Sequence, residues 1–499
     1  MGHEIDTDIV IIGGGGAGLA AAIESAAMNR RVHLLEKESS LGGSTAWSVG
    51  SISAAGTTLQ KRQGIVDSPD AHYEDMELLG AHYANRDNPG LRRVLVDNVA
   101  ETMEWLMSLG LVFTGPMQEP QHRQPRMHNV LPNASAFPYR LGRRARRLGV
   151  NIQLNTQATN LLTQGGRITG VLAISPKRET VVYRARLGVI LAGGDFSASP
   201  ELKARFAGLD VARVPAVNPG ATGEGIAIGL ANGGVMLNGD ICRGPLLRFV
   251  PPRHASLLRL LPQSRLLAQL MRYAFERLPA DMTRSLVMRL LTTAVSPSSQ
   301  LFREGAILVN AIGGRFTDEI DQPGLGISEQ DQGTAYLLFD GTVADRFSTW
   351  PRYISAAPGI GYAYLEDYRR ARGDIFHVAP TLEELATKLN MRPAALVGTV
   401  NAYNTGQDFV PRSGHRMPIM RQPFFALGPV RSQIVFTDGG LAITDRMEVV
   451  RNDGKPIPGL YAAGSNGQGG MILGGRGHHL GWAFVSGRIA GRVAAGAAA

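Results

Sequence analysis

The run Asp8-Ile-Val-Ile-Ile-Gly13-Gly-Gly15-Gly16-Ala17-Gly18 holds the first residues whose spacing can do chemistry. A β-branched stretch breaks into G-x-G-x-x-G and continues as an alanine-rich helix, a strand–turn–helix that cradles a pyrophosphate. Gly13 permits the tight turn and Gly15 lets phosphates approach the backbone. Gly18 lets the helix pack closely on the strand while its N-terminal N–H groups face the anion. The next strand, Val32-His-Leu-Leu-Glu36, ends in a carboxylate 23 residues after Gly13, placed to accept hydrogen bonds from an adenosine ribose.

That motif alone leaves NAD and FAD both open. A second one, Pro458-Gly-Leu-Tyr-Ala-Ala-Gly464, stands at the other end of the chain, followed by a glycine-rich turn and an amphipathic segment, Leu480 to Val493. A glycine turn after a buried strand would account for either motif by itself. Taken with Glu36 and with Val189-Ile-Leu-Ala192-Gly193-Gly194, the pair points to a chain that leaves the nucleotide domain and returns to it, as FAD proteins do.

Two further stretches supply backbone donors. Leu41-Gly42-Gly43-Ser44-Thr45-Ala-Trp-Ser-Val-Gly50, running into Ser51, has small side chains and free N–H groups suited to phosphate and flavin edges. Asn218-Pro-Gly-Ala-Thr222-Gly-Glu224-Gly opens a helix after a glycine turn, and its first amides face a cofactor if the chain folds back on the first domain.

These motifs need elements to hold them. With 499 residues and 44% apolar content the chain buries a large core, and two domains are expected. The fold class is α/β, a Rossmann-like FAD-binding domain with an inserted α+β substrate (cap) domain. Residues 1–235 and 429–499 form the first domain and residues 236–428 the insertion. Within the insertion, Ala306–Asn310 and Ala335–Asp340 read as strands and Leu382–Leu389 and Pro393–Tyr403 as helices.

No unbroken apolar span has membrane-crossing length, and no signal-like segment precedes the Ile9 strand, so the expected address is cytoplasmic. A single cysteine, Cys242, excludes an internal disulfide and any cysteine-only metal site, and no metal is expected. The net charge of +9 comes without aromatic–basic interleaving or a nucleic-acid motif, so it reads as an arginine-rich surface and no nucleic-acid partner is expected. One cluster, Arg140, Arg143, Arg144, Arg146 and Arg147, has helical spacing and reads as a solvated helix face.

Over nearly its whole length the chain resembles the flavoprotein group containing fumarate reductase, the succinate dehydrogenase flavoprotein and ketosteroid dehydrogenases. The matching pieces are Gly13–Gly18, Glu36-Lys37, Gly42-Gly-Ser-Thr45, Ala192-Gly-Gly194, Thr222-Gly-Glu-Gly225, Gly313-Gly-Arg-Phe-Thr-Asp-Glu319, Thr437-Asp-Gly-Gly440 and Gly459–Gly464. The resemblance implies FAD with hydride transfer at flavin N5 across a carbon–carbon bond next to a carbonyl. It also implies cofactor contacts from these glycines and from Lys37, Ala158, Ser465, His479 and Leu480. Covalent attachment in the family uses a histidine near the Gly42–Gly50 loop; none stands there, so FAD is expected to be noncovalent.

The departures bear on the substrate. In place of the family's proton-donating arginine, Glu319 is followed by Ile-Asp-Gln-Pro-Gly-Leu-Gly. The carboxylate-gripping arginine of the last glycine turn aligns near Gly474, and the histidine before T-x-G-G is replaced by Phe436. A charged substrate could still be held by Arg243 or Arg476. The ketosteroid branch fits better through Gly475-Arg-Gly477, a turn that would present Gly477 N–H to a substrate carbonyl and stabilise its enolate. The tyrosines of that branch fall here at Leu473 and near Pro323.

His478, next to Gly477, is the candidate acid–base group, with packing at the helix start as the alternative; Asp321 is the other candidate base or else an exposed turn residue.

Residues 253–296 alternate leucines with seven arginines, against Glu276 and Asp281 alone, and read as short amphipathic helices roofing an apolar pocket, making a dimer contact or touching a membrane surface. The expected substrate is a small apolar ketone, with the electron acceptor unspecified. The alternatives are an unsaturated organic acid reduced as by fumarate reductase, or a membrane-surface flavin-binding protein without turnover.

Overall fold

A computed structural model describes residues 3–252, 261–278, 288, 292, 295–357 and 361–496. The first motif sits where the sequence implied, between the strand His3–Ile12 and the helix Gly16–Ala27. That strand is central in an eight-stranded sheet. On one side lie Val32–Leu35 and then Asn151–Gln153; on the other lie Thr180–Leu191 and then Pro456–Ala462 and Glu448–Val450. The strands from Asn151–Gln153 to Pro456–Ala462 are parallel, with Ile12 opposite both Leu35 and Leu191. The chain leaves His3–Ile12 first toward Val32–Leu35 and only later reaches Thr180–Leu191 on the opposite edge. The end of the first strand is therefore a topological switch point, where such sheets open a ligand crevice.

The final helix, His478–Ala494, packs along Gly16–Ala27 so closely that only glycine fits between them. A Cβ on Gly487 would stand 2.3 Å from Ala17 O, and one on Gly491 2.4 Å from Ala21 O. The two ends of the sequence are thus one packing unit, joined also by Ser25 Oγ donating to Gly491 O at 2.9 Å.

A second, antiparallel sheet orders Leu246–Phe249, Phe424–Gln433, Thr334–Phe339 and Ile307–Val309, with Phe376–Ala379 added on Phe424–Gln433. Period-two alternation sends Ile307 and Val309 toward the helices Leu382–Lys388 and Pro393–Thr405, and Leu308 toward Leu301, Phe302 and Phe347. The division expected at residue 428 falls inside Phe424–Gln433, whose Gln433 still pairs with Leu246. The chain crosses between sheets at two short antiparallel pairs, Met236–Leu237 with Gly440–Leu441 and Cys242–Arg243 with Phe436–Thr437.

The Gly313–Glu319 motif turns out to be a clamp within the second sheet's layer. Arg315 grips the fully buried Glu319 with two hydrogen bonds of 2.9 and 2.8 Å, Arg412 adds a third at 2.8 Å, and Leu308 N donates a fourth at 3.0 Å. A buried carboxylate needs that many partners, because desolvation is repaid only by near-complete pairing.

Much of 253–296 lies outside the described residues; within it, Arg265–Arg277 is a helix. Among the described residues no helix is long and apolar enough to cross a membrane.

Candidate active site

At the end of the first strand, Gly13 has φ +106°, and a Cβ there would stand 2.4 Å from Ala192 O, while a Cβ on Gly18 would stand 1.9 Å from Gly13 O. The mouth of the turn is different. A Cβ on Gly15 would meet only Gly42 O at 3.8 Å, and one on Gly194 nothing within 4 Å. The open space therefore lies in front of Gly15 and beside Gly194. Gly15 caps the helix Gly16–Ala27 with no side-chain hydrogen bond, and beyond Gly16, whose N–H goes to Thr45, the first-turn N–H groups keep their pull on an anion.

Glu36 closes this cradle. Its carboxylate accepts Gly14 N–H at 2.7 Å and Glu38 N–H at 2.9 Å, and burial raises its pKa against those bonds. Thr45 Oγ1 accepts Gly16 N–H at 3.1 Å, and Ser44 Oγ accepts from Asn218 Nδ2 at 2.9 Å. Lys37 bridges to Thr222 and to Glu224, 2.8 Å away, drawing the turn before Glu224–Ala231 onto the end of the second strand. Burial works against the Glu224 charge, yet the bonds from Lys37 and Thr222 hold its carboxyl below the ordinary range. Gly193 N–H donates to Asn466 Oδ1 at 2.9 Å, and a Cβ on Gly225 would fall 2.1 Å from the same oxygen. The donor set and the open mouth fit an FAD pyrophosphate and ribose held by Gly15, Gly16, Glu36, Lys37 and the 42–45 loop.

The last glycine turn stands beyond this cradle. Gly477, φ +86°, caps the final helix without a side-chain bond, and a Cβ there would be 2.5 Å from Ser53 N. Arg476 N–H donates to Glu119 at 3.0 and 3.1 Å, and Arg476 O accepts from Ser53 Oγ at 2.7 Å. The Arg476 guanidinium is half-buried; its Nη2 donates to Ala356 O of the hairpin Ser355–Ala357/Gly361–Ala363 at 3.3 Å, and its buried Nη1 has no partner. Around this hairpin Trp350 and Tyr353 each lie 4.9 Å from the Tyr362 ring.

A second guanidinium sits on the chain crossing. Arg243 Nε donates to the buried Asp438 at 2.7 Å, and its own buried Nη2 is unpartnered. Asp438 also accepts from Gln468 Nε2 at 3.0 Å and faces His479 Nε2 at 3.5 Å, while the His479 ring rests on Phe436 at 3.9 Å. Burial lowers the His479 pKa to about 4, with Asp438 opposing, so the ring is neutral near pH 7.

An FAD binding domain family model matches residues 8–476. The chain belongs to this family. The NADH:fumarate oxidoreductase of Klebsiella pneumoniae (strain 342) is 27% identical over 98% of this chain and 47% of its own length. The urocanate reductase of Eggerthella lenta is 27% identical over 99% of the chain and 75% of its own. Among solved structures, the open conformation of a flavocytochrome c3 fumarate reductase superposes with a TM-score of 0.72 at 23% identity, covering 98% of this chain and 78% of that one. The 3-ketosteroid-Δ4-(5α)-dehydrogenase from Rhodococcus jostii RHA1, in complex with 4-androstene-3,17-dione, superposes at 0.60 with 25% identity, covering 98% and 97%. The chain thus spans about half the length of the first of these relatives and three quarters of the second. It is a member of the FAD binding domain family that is similar to a fumarate oxidoreductase, a urocanate reductase and a 3-ketosteroid dehydrogenase.

In this flavoprotein the expected cofactor residues Gly13, Gly15, Gly16, Ala17, Gly18, Glu36, Lys37, Gly42, Gly43, Ser44, Thr45, Ala192, Gly193, Gly194, Thr222 and Glu224 converge on the switch point through the contacts above. Gly464 and Ser465 lie against the final helix, where Gly464 N–H donates to Ser486 Oγ at 2.8 Å. Gly50 and Ser51 lie on the strand edge that pairs with Asn129, and Ala158 is buried opposite Ala173. Leu480 is in the first turn of the final helix beside His479.

The three catalytic candidates do not converge. Asp321 is exposed at the turn before the helix Pro323–Ser328. His478 is fully buried, and both ring nitrogens are engaged, Nδ1 with Gly474 O and Nε2 with His72 Nε2 at 2.9 Å. A nitrogen that meets a carbonyl must donate, so His478 Nε2 accepts and His72 donates. Burial drives the His478 pKa to about 3 and His72 well down, and a third ring, His122, lies 5.4 Å from His478. His478 therefore shapes the turn from inside and leaves no nitrogen for substrate. Gly477 is half-buried, packed against Ile52 and Ser53. Sequence reasoning missed Glu119, Asp438, Asn466, His72 and His122. Only Asp438 stood inside one of the glycine motifs, with Asn466 two residues past another; the others sit in ordinary helical and loop sequence.

Proposed function

We propose that the chain exchanges a hydride across the α,β carbon–carbon bond of an apolar ketone, oxidising it or running in reverse. Bound FAD supplies hydride chemistry at its N5. The observation that supports this substrate is the unspent donor set at the last glycine turn: Arg476 Nη1, buried and unpartnered, beside a helix N-terminus that no side chain caps. Donors fixed in place before an oxygen acquires charge stabilise an enolate more than a ketone. The aromatic hairpin of Trp350, Tyr353 and Tyr362, which Arg476 ties to the turn through Ala356 O, supplies an apolar wall for a ring-shaped body. His478 and Glu119 hold the turn from behind, one through Gly474 O and one through Arg476 N–H.

A second reading, reduction of an unsaturated carboxylate, is favoured by one observation. Arg243 Nη2 is a second buried and unpartnered donor, and two cations suit an acid better than one. Anaerobic dye-coupled assays of cyclic enones and saturated ketones against enoates decide between them. Turnover restricted to enoates, and lost in Arg243→Gln, would replace the ketone reading with the acid.

A further inference from the structure

Behind the cofactor cradle, where Pro138 of the helix Ala136–Arg147 backs the Gly42 turn, two helices carry most of the chain's excess charge. The helix Ala136–Arg147 has five arginines and no acidic residue, and Arg265–Arg277 has three arginines and one glutamate. Together they hold an excess of seven positive charges, against nine for the whole chain. Arg140 Nη2 donates to Gln263 O at 2.9 Å and joins the first helix to the start of the second. Arg143, Arg144, Arg146 and Arg147 are exposed, and among the described residues none of them meets a carboxylate. Tyr139, Arg143, Arg146 and Arg147, spaced on one helical stripe, line with Pro138 an open cavity of about 480 Å³.

The second helix divides by face. Ala268, Met271 and Phe275 turn inward onto Val112 and Leu131. On the opposite stripe, Leu266, Leu270 and Tyr273 are 73%, 67% and 61% exposed, and Arg277 lies against the Tyr273 ring. Leucines at one-turn spacing in water are expensive unless another phase takes them. A face that combines such a stripe with unpaired guanidinium groups is complementary to one surface in both respects, an acyl region beneath anionic headgroups.

We propose that this face, Tyr139 to Arg147 with Leu266, Leu270 and Tyr273, docks the protein on an anionic lipid surface. The arginine-lined cavity takes headgroup phosphate, and the leucine stripe enters the acyl boundary while the arginine stems lie along it. This goes beyond the redox reading and does not depend on which substrate is turned over, although a lipid surface is where an apolar ketone concentrates. Docking needs both helices.

Co-sedimentation of the FAD-loaded protein with vesicles tests it, using phosphatidylcholine alone and phosphatidylcholine mixed with phosphatidylglycerol. The expected result is binding to the anionic vesicles that weakens as salt is raised. Arg143→Gln with Arg147→Gln, and separately Leu266→Gln with Leu270→Gln, should each weaken that binding on the order of tenfold or more. Both variants should keep the parent's FAD-to-protein ratio, which reports folding independently. Equal recovery in the supernatant with both vesicle types overturns the proposal. So does light scattering that shows a dimer dissociated by Leu266→Gln with Leu270→Gln, since the stripe would then be covered by a second copy.

Discussion

Replacing Arg476 by Met should slow flavin reduction by a ketone about a hundredfold while leaving FAD bound and the fold nearly intact. The magnitude follows from what this side chain touches. Its Nη2 makes one hydrogen bond, 3.3 Å long, to Ala356 O, and Nη1 makes none. A long, half-exposed hydrogen bond contributes at the low end of about 0.5–1.5 kcal/mol, so the melting temperature should move by only about 1–2 °C in a chain of this size. A charged donor aimed at a developing oxyanion is worth about 3 kcal/mol, which is the hundredfold. Burial lowers the Arg476 pKa against the pull of Glu119, but an arginine stays cationic throughout the working range, so the effect should be independent of pH. Arg476→Lys keeps the charge and loses the planar fork, and should fall between Met and the parent. Stopped-flow flavin reduction with the substrate found by the dye-coupled assays gives the rate, and flavin absorbance per protein gives occupancy. If Arg476→Met reduces its flavin at the parent's rate, the carbonyl is held elsewhere and Arg243 becomes the residue to test.

Three further outcomes are expected. Gly487→Ala places a methyl 2.3 Å from Ala17 O, where ordinary contact begins at 3.4 Å, so the two helices must part by about 1 Å. The cost of about 1–3 kcal/mol should appear with partial loss of FAD, whereas Gly398→Ala, in a helix interior with no atom within 4 Å, should stabilise slightly. Burial lowers His122 and His128 from 6.5 to about 4, so between those values the unfolded chain binds protons the folded chain refuses. Stability should fall as pH drops from about 6.5 to about 4, by up to ~1.4 kcal/mol per unit for each histidine, and His122→Leu should flatten that slope in melting curves. Acid precipitation should leave a colourless pellet and FAD in the supernatant, because the 42–50 loop has no histidine to carry a covalent link; a yellow pellet would refute this.

What the sequence determined by itself were the features whose chemistry is local in the chain. Gly13, with its positive φ, and Gly18, whose Cβ would strike Gly13 O, must be glycine for reasons that act within a single turn, and Glu36 follows at the end of the next strand. The continuous apolar runs in Ile307–Val309 and Thr334–Phe339 likewise report strands buried on both faces. Such patterns survive without knowledge of neighbours, because their periods are set by backbone geometry.

The tertiary structure alone decided which residues share the active site and which do not. His478 and His479 are adjacent in sequence, yet one faces a buried histidine pair and the other lies against Phe436 and Asp438, because a helix turns consecutive side chains about 100° apart. Glu119, His72 and His122 reach the Gly474–Gly477 turn from elements some four hundred residues away in sequence, and nothing in their own neighbourhoods marks them. The Gly313–Glu319 motif, read as a place near catalysis, became a structural clamp once Arg412 arrived from a distant loop. Burial and pairing are properties of the folded chain as a whole; they fix which charged group is spent on structure and which keeps a donor free for a substrate.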